Sequence, residues 1–320
     1  MRTKVLRAAA MLVALIVRST EGAEGAAMGV SVKESGDTVR VEFDGQLFTE
    51  YRFDKVDRPF FFPVIGPTGE NVTRSWPVTE GDENEQKDHP HHRGLWYTHG
   101  DVNGLDFWSE GKGPKIVHQK FTKLESGRES GTIESENRWV DKDGKLVCSD
   151  RRRHVFRQCG DVRMLDFEIV LIASHGRLVL GDTKEGSMAI RVRETMRVTG
   201  PIAKGHILNS EGVKDGDAWG RRAKWCVYYG PVKNQPVSIA VFDHPSNPRH
   251  PTWWHVRDYG LFGANPYGIA HFEKKPRGSG NLEIEEGKSV TFRYRFVFLK
   301  GEPQADRLEA LFQSFATARE

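Results

Sequence analysis

The chain has 320 residues, of which 38% are hydrophobic and 28% are charged, and its formal net charge is +3. These values are typical of an ordinary globular protein. The small net charge and the absence of a long lysine or arginine run argue against nucleic-acid binding. The densest basic spot, Arg151–Arg153, is interpreted as the exposed face of a strand.

The N-terminus has the pattern of a signal peptide. Three basic residues, Arg2, Lys4 and Arg7, precede an apolar run over residues 8–17, and small or polar residues follow. The run is too short for a transmembrane helix, which needs about 20 apolar residues. We therefore predict a signal peptide over residues 1–25 and one β-sandwich domain over residues 26–320. The mature protein is expected to be exported, periplasmic or secreted, without a transmembrane segment.

Three cysteines, Cys148, Cys159 and Cys226, are too few and too irregularly spaced for a disulfide scaffold or a cysteine zinc site. Their odd number leaves at least one thiol free. We expect buried or free cysteines.

Alternating apolar and polar residues predict many short strands. The Asp143-Gly144 pair is a strong hairpin signal, because a type I′ turn needs positive φ. The continuous apolar run Phe60–Ile65 suits a strand that is buried on both faces. The predicted strands cover residues 30–34, 38–43, 46–53, 60–65, 115–125, 131–140, 146–157, 161–174, 177–181, 187–193, 225–229, 237–242 and 290–298.

A single helix is predicted at the C-terminus, with Pro303 in its first turn. Leu308, Leu311, Phe312 and Phe315 fall at helical spacing, so this stripe is expected to pack against a sheet. The predicted fold is all-β: a large, many-stranded antiparallel sandwich of two sheets with a C-terminal helix.

The stretch Asp88–Trp108 is rich in groups that can perform chemistry and is predicted to be a structured loop. It contains four histidines: His89, His91, His92 and His99. Histidines can transfer protons near neutral pH. The spacing of His89 with His91 and of His99 with Asp101 also permits a mixed nitrogen–oxygen metal site. A third interpretation is a packed loop whose histidines are hydrogen-bonded.

Two further constellations complete the candidate set. Lys184, Glu185 and Arg191 lie around the start of a strand, where a structural ion pair is equally plausible. The stretch Asp243–Gly260 combines aromatic rings with amides and carboxylates, groups that suit sugars. A packed tryptophan corner is the alternative. Weaker candidates for the same pocket are Gly205-His206 and Trp219-Gly220-Arg221.

Four strings carry a resemblance to a known family: Asp88–Trp96, His99–Trp108, Thr183–Gly186 and Asp243–Pro248. They resemble the PmoA-like family of exported bacterial proteins, which is common in planctomycetes, and the resemblance covers nearly all of the mature chain. The family name refers to a methane monooxygenase subunit that would be a polytopic membrane protein, so the lack of a spanning stretch here argues against methane oxidation. The strand layout also looks like the galactose mutarotase-like supersandwich, a fold that binds sugars in a cleft with histidines and a carboxylate.

The main hypothesis is an exported protein that binds a carbohydrate or another small molecule, with acid–base chemistry such as epimerisation, mutarotation or elimination. The acid would be His91, His92 or His99, and the base Glu185 or Asp258. The predicted substrate-binding residues are Arg93, Asp101, Asn103, Arg191, Asn247, Trp254, His255, Arg257 and Tyr259. The alternatives are a metal-dependent oxidoreductase or hydrolase that uses His89, His91, His99 and Asp101, and a non-catalytic sugar-binding protein. The sequence implies no particular cofactor.

Overall fold

Two eight-stranded antiparallel sheets form the architecture in the computed structural model, which describes residues 29–82 and 84–318. The predicted signal peptide lies outside these residues. The strands are β1 (Val30–Ser35), β2 (Thr38–Phe43), β3 (Gln46–Arg52), β4 (Phe60–Val64), β5 (Leu95–His99), β6 (Lys115–Glu125), β7 (Gly131–Val140), β8 (Leu146–Cys159), β9 (Val162–Ile172), β10 (Leu178–Leu180), β11 (Gly186–Arg191), β12 (His206–Asn209), β13 (Trp225–Val232), β14 (Gln235–Asp243), β15 (Trp253–Val256), β16 (Leu261–Asn265), β17 (Leu282–Ile284) and β18 (Ser289–Lys300). The helices are α1 (Ile269–Phe272) and α2 (Ala305–Ala316).

The strand order places distant parts of the chain side by side. The first sheet runs β1-β2-β3-β4-β5-β11-β16-β15, the second runs β12-β13-β14-β18-β9-β8-β7-β6, and β10 pairs with β17 in a small third sheet. The first sheet therefore brings the histidine-rich stretch, through β5, next to the Glu185 segment, through β11, and to the β15–β16 hairpin. The predicted all-β sandwich is confirmed.

The main core lies between the two large sheets. Phe48 of the first sheet packs edge-on against Phe156 and Phe298 of the second, with ring centroids 6.1 Å and 5.7 Å away. Tyr97 stacks on Phe167 across the same gap at 6.3 Å. These contacts remove apolar area from water, which is the dominant favourable term in folding.

The C-terminal helix covers part of the outer face of the second sheet. Leu308, Phe312 and Phe315 are buried against that sheet, and the rings of Phe312 and Phe242 lie 5.9 Å apart. The predicted packing of this stripe is confirmed, although the helix begins at Ala305 and Pro303 precedes it. No helix among the described residues is both long and apolar enough to cross a membrane.

The outer face of the first sheet is also covered, and this explains the Phe60-Phe61-Phe62 run. Phe61 belongs to the core between the sheets, whereas Phe60 and Phe62 pack with Trp96 and Trp108 on the opposite face. The prediction of a strand buried on both faces is confirmed. The segments that build this outer layer come mainly from residues 56–94 and 106–110.

Three strands lie where the sequence predicts loops. Leu95–His99 interrupts the histidine-rich stretch, and Trp253–Val256 and Leu261–Asn265 form a hairpin in the later polar region. All three are buried along their whole length, so they have no polar face and show no alternation. The hairpin at Asp143-Gly144 is confirmed, but only Gly144 of the two has positive φ, at 81°, so the turn is not type I′.

The three cysteines are free, as expected, with Cys148 and Cys226 buried and Cys159 exposed.

The Arg151–Arg153 run differs from its prediction as the exposed face of a strand. Arg151 and Arg153 are exposed, but the alternation of β8 turns Arg152 into the core.

Arg152 is held in the core by Asp150, and both side chains are fully buried. The guanidinium Nη2 donates to Asp150 Oδ2 at 2.9 Å. The same carboxylate accepts from the amide of Asn137 at 2.6 Å and from the indole of Trp139 at 2.7 Å. Removing one member of such a pair leaves a buried charge without compensation.

We expect Asp150→Ala to lower the free energy of unfolding by about 3–5 kcal/mol, because Arg152 and two buried N–H donors lose their acceptor. Urea unfolding followed by tryptophan fluorescence measures the change. Glu283→Ala, which removes an exposed ion pair with Arg177, is the control and should change stability by less than about 1 kcal/mol. Equal effects of the two substitutions would contradict the role of the buried pair.

Candidate functional site

A tight turn at the last hairpin of the first sheet presents an arginine, a carboxyl group and an aromatic ring side by side. The Gly260 amide donates to the Arg257 carbonyl at 2.9 Å, and the Arg257 amide donates to the Leu261 carbonyl at 2.7 Å. Gly260 has φ +95°, and a Cβ there would lie 3.1 Å from the Arg197 side chain, so glycine is required. The turn leaves Arg257, Asp258 and Tyr259 half-buried at the rim of a cleft.

The cleft has a volume of about 380 Å³. This volume lies in the range of small-molecule sites, about 300–1,000 Å³. Its lining residues are Thr199, Gly216, Trp219, Val256, Arg257, Asp258 and Tyr259. The guanidinium carbon of Arg257 lies 5.5 Å from the Trp219 ring and 5.6 Å from the Tyr259 ring.

Asp258 supplies the cleft with a carboxyl group whose acidity is altered. Partial burial, followed by the nearby charge of Asp215, raises the pKa of Asp258, although Arg257 opposes the shift. Asp217 raises it further. The backbone carbonyl of Asp258 accepts a hydrogen bond from the Tyr228 hydroxyl at 3.1 Å, which anchors the turn to the second sheet.

His255 lies just before the turn and is fixed as a neutral imidazole. The indole Nε1 of Trp219 donates to His255 Nδ1 at 2.9 Å, so the proton of the neutral ring is on Nε2. Burial, and then the cations Lys184 and Arg257, lower the pKa of His255 to about 3. The ring is therefore a hydrogen-bonding group at neutral pH rather than an acid.

A row of four stacked rings connects the cleft to the interior. Tyr259 stacks on His89 at 5.2 Å with 4° between the planes, and His89 stacks on His92 at 4.8 Å. His92 in turn stacks on Trp96 at 5.4 Å. The first histidines of the histidine-rich stretch therefore support the cleft wall that Tyr259 forms.

Two buried arginines hold this row in place through one carboxylate. Asp88 Oδ1 accepts from Arg74 Nη1 at 2.5 Å and from Arg191 Nη2 at 2.9 Å. Arg191 Nη1 lies 3.3 Å from His92 Nδ1, and because arginine only donates, that ring nitrogen accepts. Burial and then Arg191 lower the pKa of His92, so the ring stays neutral.

His91 lies at the edge of the same cluster. Its ring meets the His92 ring edge-on at 4.5 Å and is half-buried. Burial, and then the charge of Arg58, lower the pKa of His91 to about 4. Arg58 is itself buried, and its guanidinium donates to the carbonyls of His91 and Trp108.

Two predicted charges are engaged in ion pairs. Arg93 binds Glu110 with 2.8 Å between Nε and Oε2, which directs it to the loop that contains Trp108. Glu185 forms an ion pair with Lys184 and remains partly exposed. The amide of Asn265 donates to the carbonyls of Thr183 and Lys184, at 3.0 Å and 2.9 Å, and fixes this segment. After burial, the charge of Lys184 lowers the pKa of His255, so Lys184 lies within electrostatic range of that ring.

Five predicted residues are used for folding instead. His99 is buried, with Nε2 at 2.8 Å from the Gly181 carbonyl and its ring against Tyr267. Asp101 accepts from the Gly104 amide, and Asn103 binds the backbone of Arg177 and Val179. The side-chain nitrogen of Asn247 donates to Asp243 and to the Arg293 carbonyl, and its oxygen accepts from the Arg293 amide. Trp254 points into the core and donates to the Ala223 carbonyl at 2.9 Å. These five residues are therefore left out of the candidate site.

Several site residues are absent from the sequence-based set. Arg58 and Arg74 belong to no recognisable motif, and Thr199 and Gly216 line the cleft from segments without polar patterning. Trp219 has only weak support from the sequence. No group of three or more histidine, cysteine, aspartate or glutamate side chains within residues 29–82 and 84–318 is arranged to hold a metal ion. The metal alternative therefore gains no ligand set in this part of the chain.

His91, His92 and His255 should stay neutral from about pH 8 to about pH 5, because burial and neighbouring cations lower the pKa of each ring. The same imidazoles titrate near pH 6.5 in an unfolded chain, so the unfolded state binds more protons below that pH. Stability should therefore fall as the pH is lowered from about 6.5 towards 4, by up to about 1.4 kcal/mol per pH unit for a buried ring such as His255.

NMR of the ring carbons checks this directly, and His255→Gln should remove one signal and reduce the pH slope. A titration midpoint of His91 or His255 above about pH 6 in the folded protein would contradict the assignment.

Solved structures with a similar arrangement are distant in sequence. A GH36 alpha-galactosidase from Geobacillus stearothermophilus has 8% identity and a TM-score of 0.41, with 85% of this chain and 40% of that chain covered. A galactose mutarotase related enzyme from Lactobacillus acidophilus has 11% identity and a TM-score of 0.28, with 85% and 97% covered. A 4-alpha-glucanotransferase from Thermococcus litoralis has 9% identity and a TM-score of 0.32, with 84% and 39% covered.

The chain thus spans about two fifths of the galactosidase and of the glucanotransferase. At these TM-scores the likeness carries no argument about activity. A comparison with curated proteins finds no match. The resemblance to the PmoA-like family stays a prediction.

The family model that matches is described as a family of unknown function, and it covers residues 38–313. Because this match extends over most of the sequence, the protein belongs to the DUF6807 family.

Proposed function

We propose that the protein binds a carbohydrate in the cleft at the β15–β16 turn and performs acid–base chemistry on it. The observation that carries the proposal is the turn itself, which places an arginine, a carboxyl group and an aromatic ring next to one another at a cleft of about 380 Å³. The proposal includes export, which is supported by the basic residues and the apolar run at the N-terminus.

The lining residues supply the two kinds of contact that sugars need. Trp219 and Tyr259 line the cleft with aromatic carbon that can contact the C–H groups of a sugar, and each also carries a polar atom. Arg257 and Asp258 supply donors and acceptors for hydroxyl groups. Tyr259 is backed by His89, so the ring is held in one orientation before a ligand arrives, and this lowers the entropic cost of binding.

The proton-transfer roles follow from the charge states. His91 and His255 are neutral at pH 7, because burial and neighbouring cations lower the pKa of both. They can orient hydroxyl groups but are poor acids. Asp258 lines the cleft and is the carboxyl group that can exchange a proton with a bound sugar. Glu185, which pairs with Lys184, is the second carboxyl group of the predicted set. Epimerisation, mutarotation and elimination all require a proton donor and a proton acceptor.

Removing the aromatic wall should weaken sugar binding. We expect Tyr259→Ala to reduce affinity about tenfold, since an aromatic contact contributes about 1–1.5 kcal/mol beyond area burial. A thermal-shift screen of neutral and acidic monosaccharides would identify a ligand, and calorimetry would then measure its dissociation constant. Tyr229→Ala, which removes a half-buried tyrosine outside this cleft, is the control and should bind normally. Unchanged affinity in Tyr259→Ala would rule out this cleft.

Removing the carboxyl group should affect turnover more than binding. We expect Asp258→Asn to reduce the rate at least about a hundredfold, as is typical for loss of a general acid or base, while the sugar still binds. Deuterium incorporation from D₂O and polarimetry report proton transfer and mutarotation. Asp143→Asn, at an exposed hairpin, is the matched control. A wild-type protein that binds a sugar without turnover would retain the binding proposal and overturn the acid–base one.

A further inference from the structure

We propose that the sugar recognised in this cleft carries a carboxylate, as uronic acids do, and that Arg257 binds that group. The inference rests on the proposed function, because it names the substrate class of the same site. It is argued from the surroundings of one guanidinium group and from the charges nearest to it.

Arg257 has no ion-pair partner within the part of the chain that the structure describes, in contrast to four buried arginines of the protein. Arg58, Arg74, Arg191 and Arg197 each form an ion pair with a carboxylate. Among the described residues, the Arg257 side chain forms neither an ion pair nor a hydrogen bond, although its backbone is fixed in the turn. A guanidinium on a cleft wall whose donors are not taken up by a carboxylate is suited to bind an anionic ligand.

The aromatic neighbours position the guanidinium without occupying its donors. Trp219 and Tyr259 interact with it at 5.5 Å and 5.6 Å through the faces of their rings, which attract a cation. Such contacts leave N–H groups free for in-plane hydrogen bonds. A carboxylate can accept two parallel bonds from this planar fork, which gives both strength and orientation.

The nearest other cations are already paired. Lys184 is paired with Glu185, and Arg191 shares Asp88 with Arg74, so Arg257 is left as the unpaired cation among the described residues of this cleft wall. Asp258 also lines the cleft, and burial followed by the charge of Asp215 raises its pKa, although Arg257 opposes the shift. Arg257 is therefore the group of this wall that can balance the charge of a ligand carboxylate.

Calorimetry on the full chain tests the inference, with D-glucuronate and D-galacturonate compared with D-glucose and D-galactose. We expect the acids to bind at least tenfold more tightly than the matching neutral sugars. In Arg257→Gln the ratio of the two affinities should fall to about one. Arg257→Lys keeps the charge without the planar fork and should give an intermediate ratio. Arg177→Gln removes an exposed arginine that pairs with Glu283 and should retain the wild-type ratio.

The outcomes separate this inference from the proposed function. Neutral sugars that bind as tightly as their acids would overturn the inference and leave the proposed function standing. An acid preference that survives in a folded Arg257→Gln, with folding checked by circular dichroism, would overturn the role of Arg257. If neither acids nor neutral sugars bind, both proposals fail.

Discussion

The shared carboxylate of Asp88 is the interaction on which the candidate site depends. Two arginines with fully buried side chains, Arg74 and Arg191, converge on it from different parts of the chain. A buried guanidinium is costly unless it is paired and hydrogen-bonded. The pairing therefore fixes the histidine-rich segment over the first sheet, because any displacement of this segment would leave two charges without a partner. This ion-pair cluster also fixes the position of the ring stack from Trp96 to Tyr259, because His89 and His92 belong to the same segment as Asp88.

The chain uses its most distinctive sequence strings in two different ways. The His89–His92 part and the Arg257–Tyr259 turn meet at the cleft, whereas Asp101, Asn103 and Asn247 bind backbone groups and shape loops. Asp243 is similar, since it is buried and accepts from His250, Asn247 and the Thr252 amide. A distinctive polar motif in a sequence can therefore belong either to a site or to the scaffold around it. The hydrogen-bond partners of its side chains distinguish these two roles.

The sequence predicts the second sheet except β12, and in the first sheet it predicts β1 to β4 and β11 but not β5, β15 and β16. The strands from β6 to β9 have alternating residues and clear turn signals, because one face of that sheet meets solvent. β5, β15 and β16 are short and buried on both faces, so apolar and polar residues do not alternate along them and a period of two is not recognisable. The terminal helix was predictable because its apolar stripe faces a single surface.

The same loss of periodicity limits prediction of the site. Trp254 and His255 are adjacent, but on a strand they point to opposite faces, and only His255 reaches the cleft side. Because the sequence predicts a loop here, it does not indicate which of the two side chains points to which face. Arg257, Asp258 and Tyr259 could be identified because a polar and aromatic turn remains exposed whatever the flanking structure. Arg58 and Arg74 could not, since their partners are mostly backbone carbonyls, which any residue type supplies.

The position of the β15–β16 hairpin at the end of the first sheet has an evolutionary consequence. β15 is the last strand in the order, so the turn it shares with β16 lies beyond most of the packed interior. Substitutions of Arg257 or Asp258 can change the charge and the hydrogen-bonding groups of the cleft wall, while Gly260 and the stack of Tyr259 on His89 keep the turn in place. Homologues with the same anchor can therefore differ in the chemistry of this wall through only two residues.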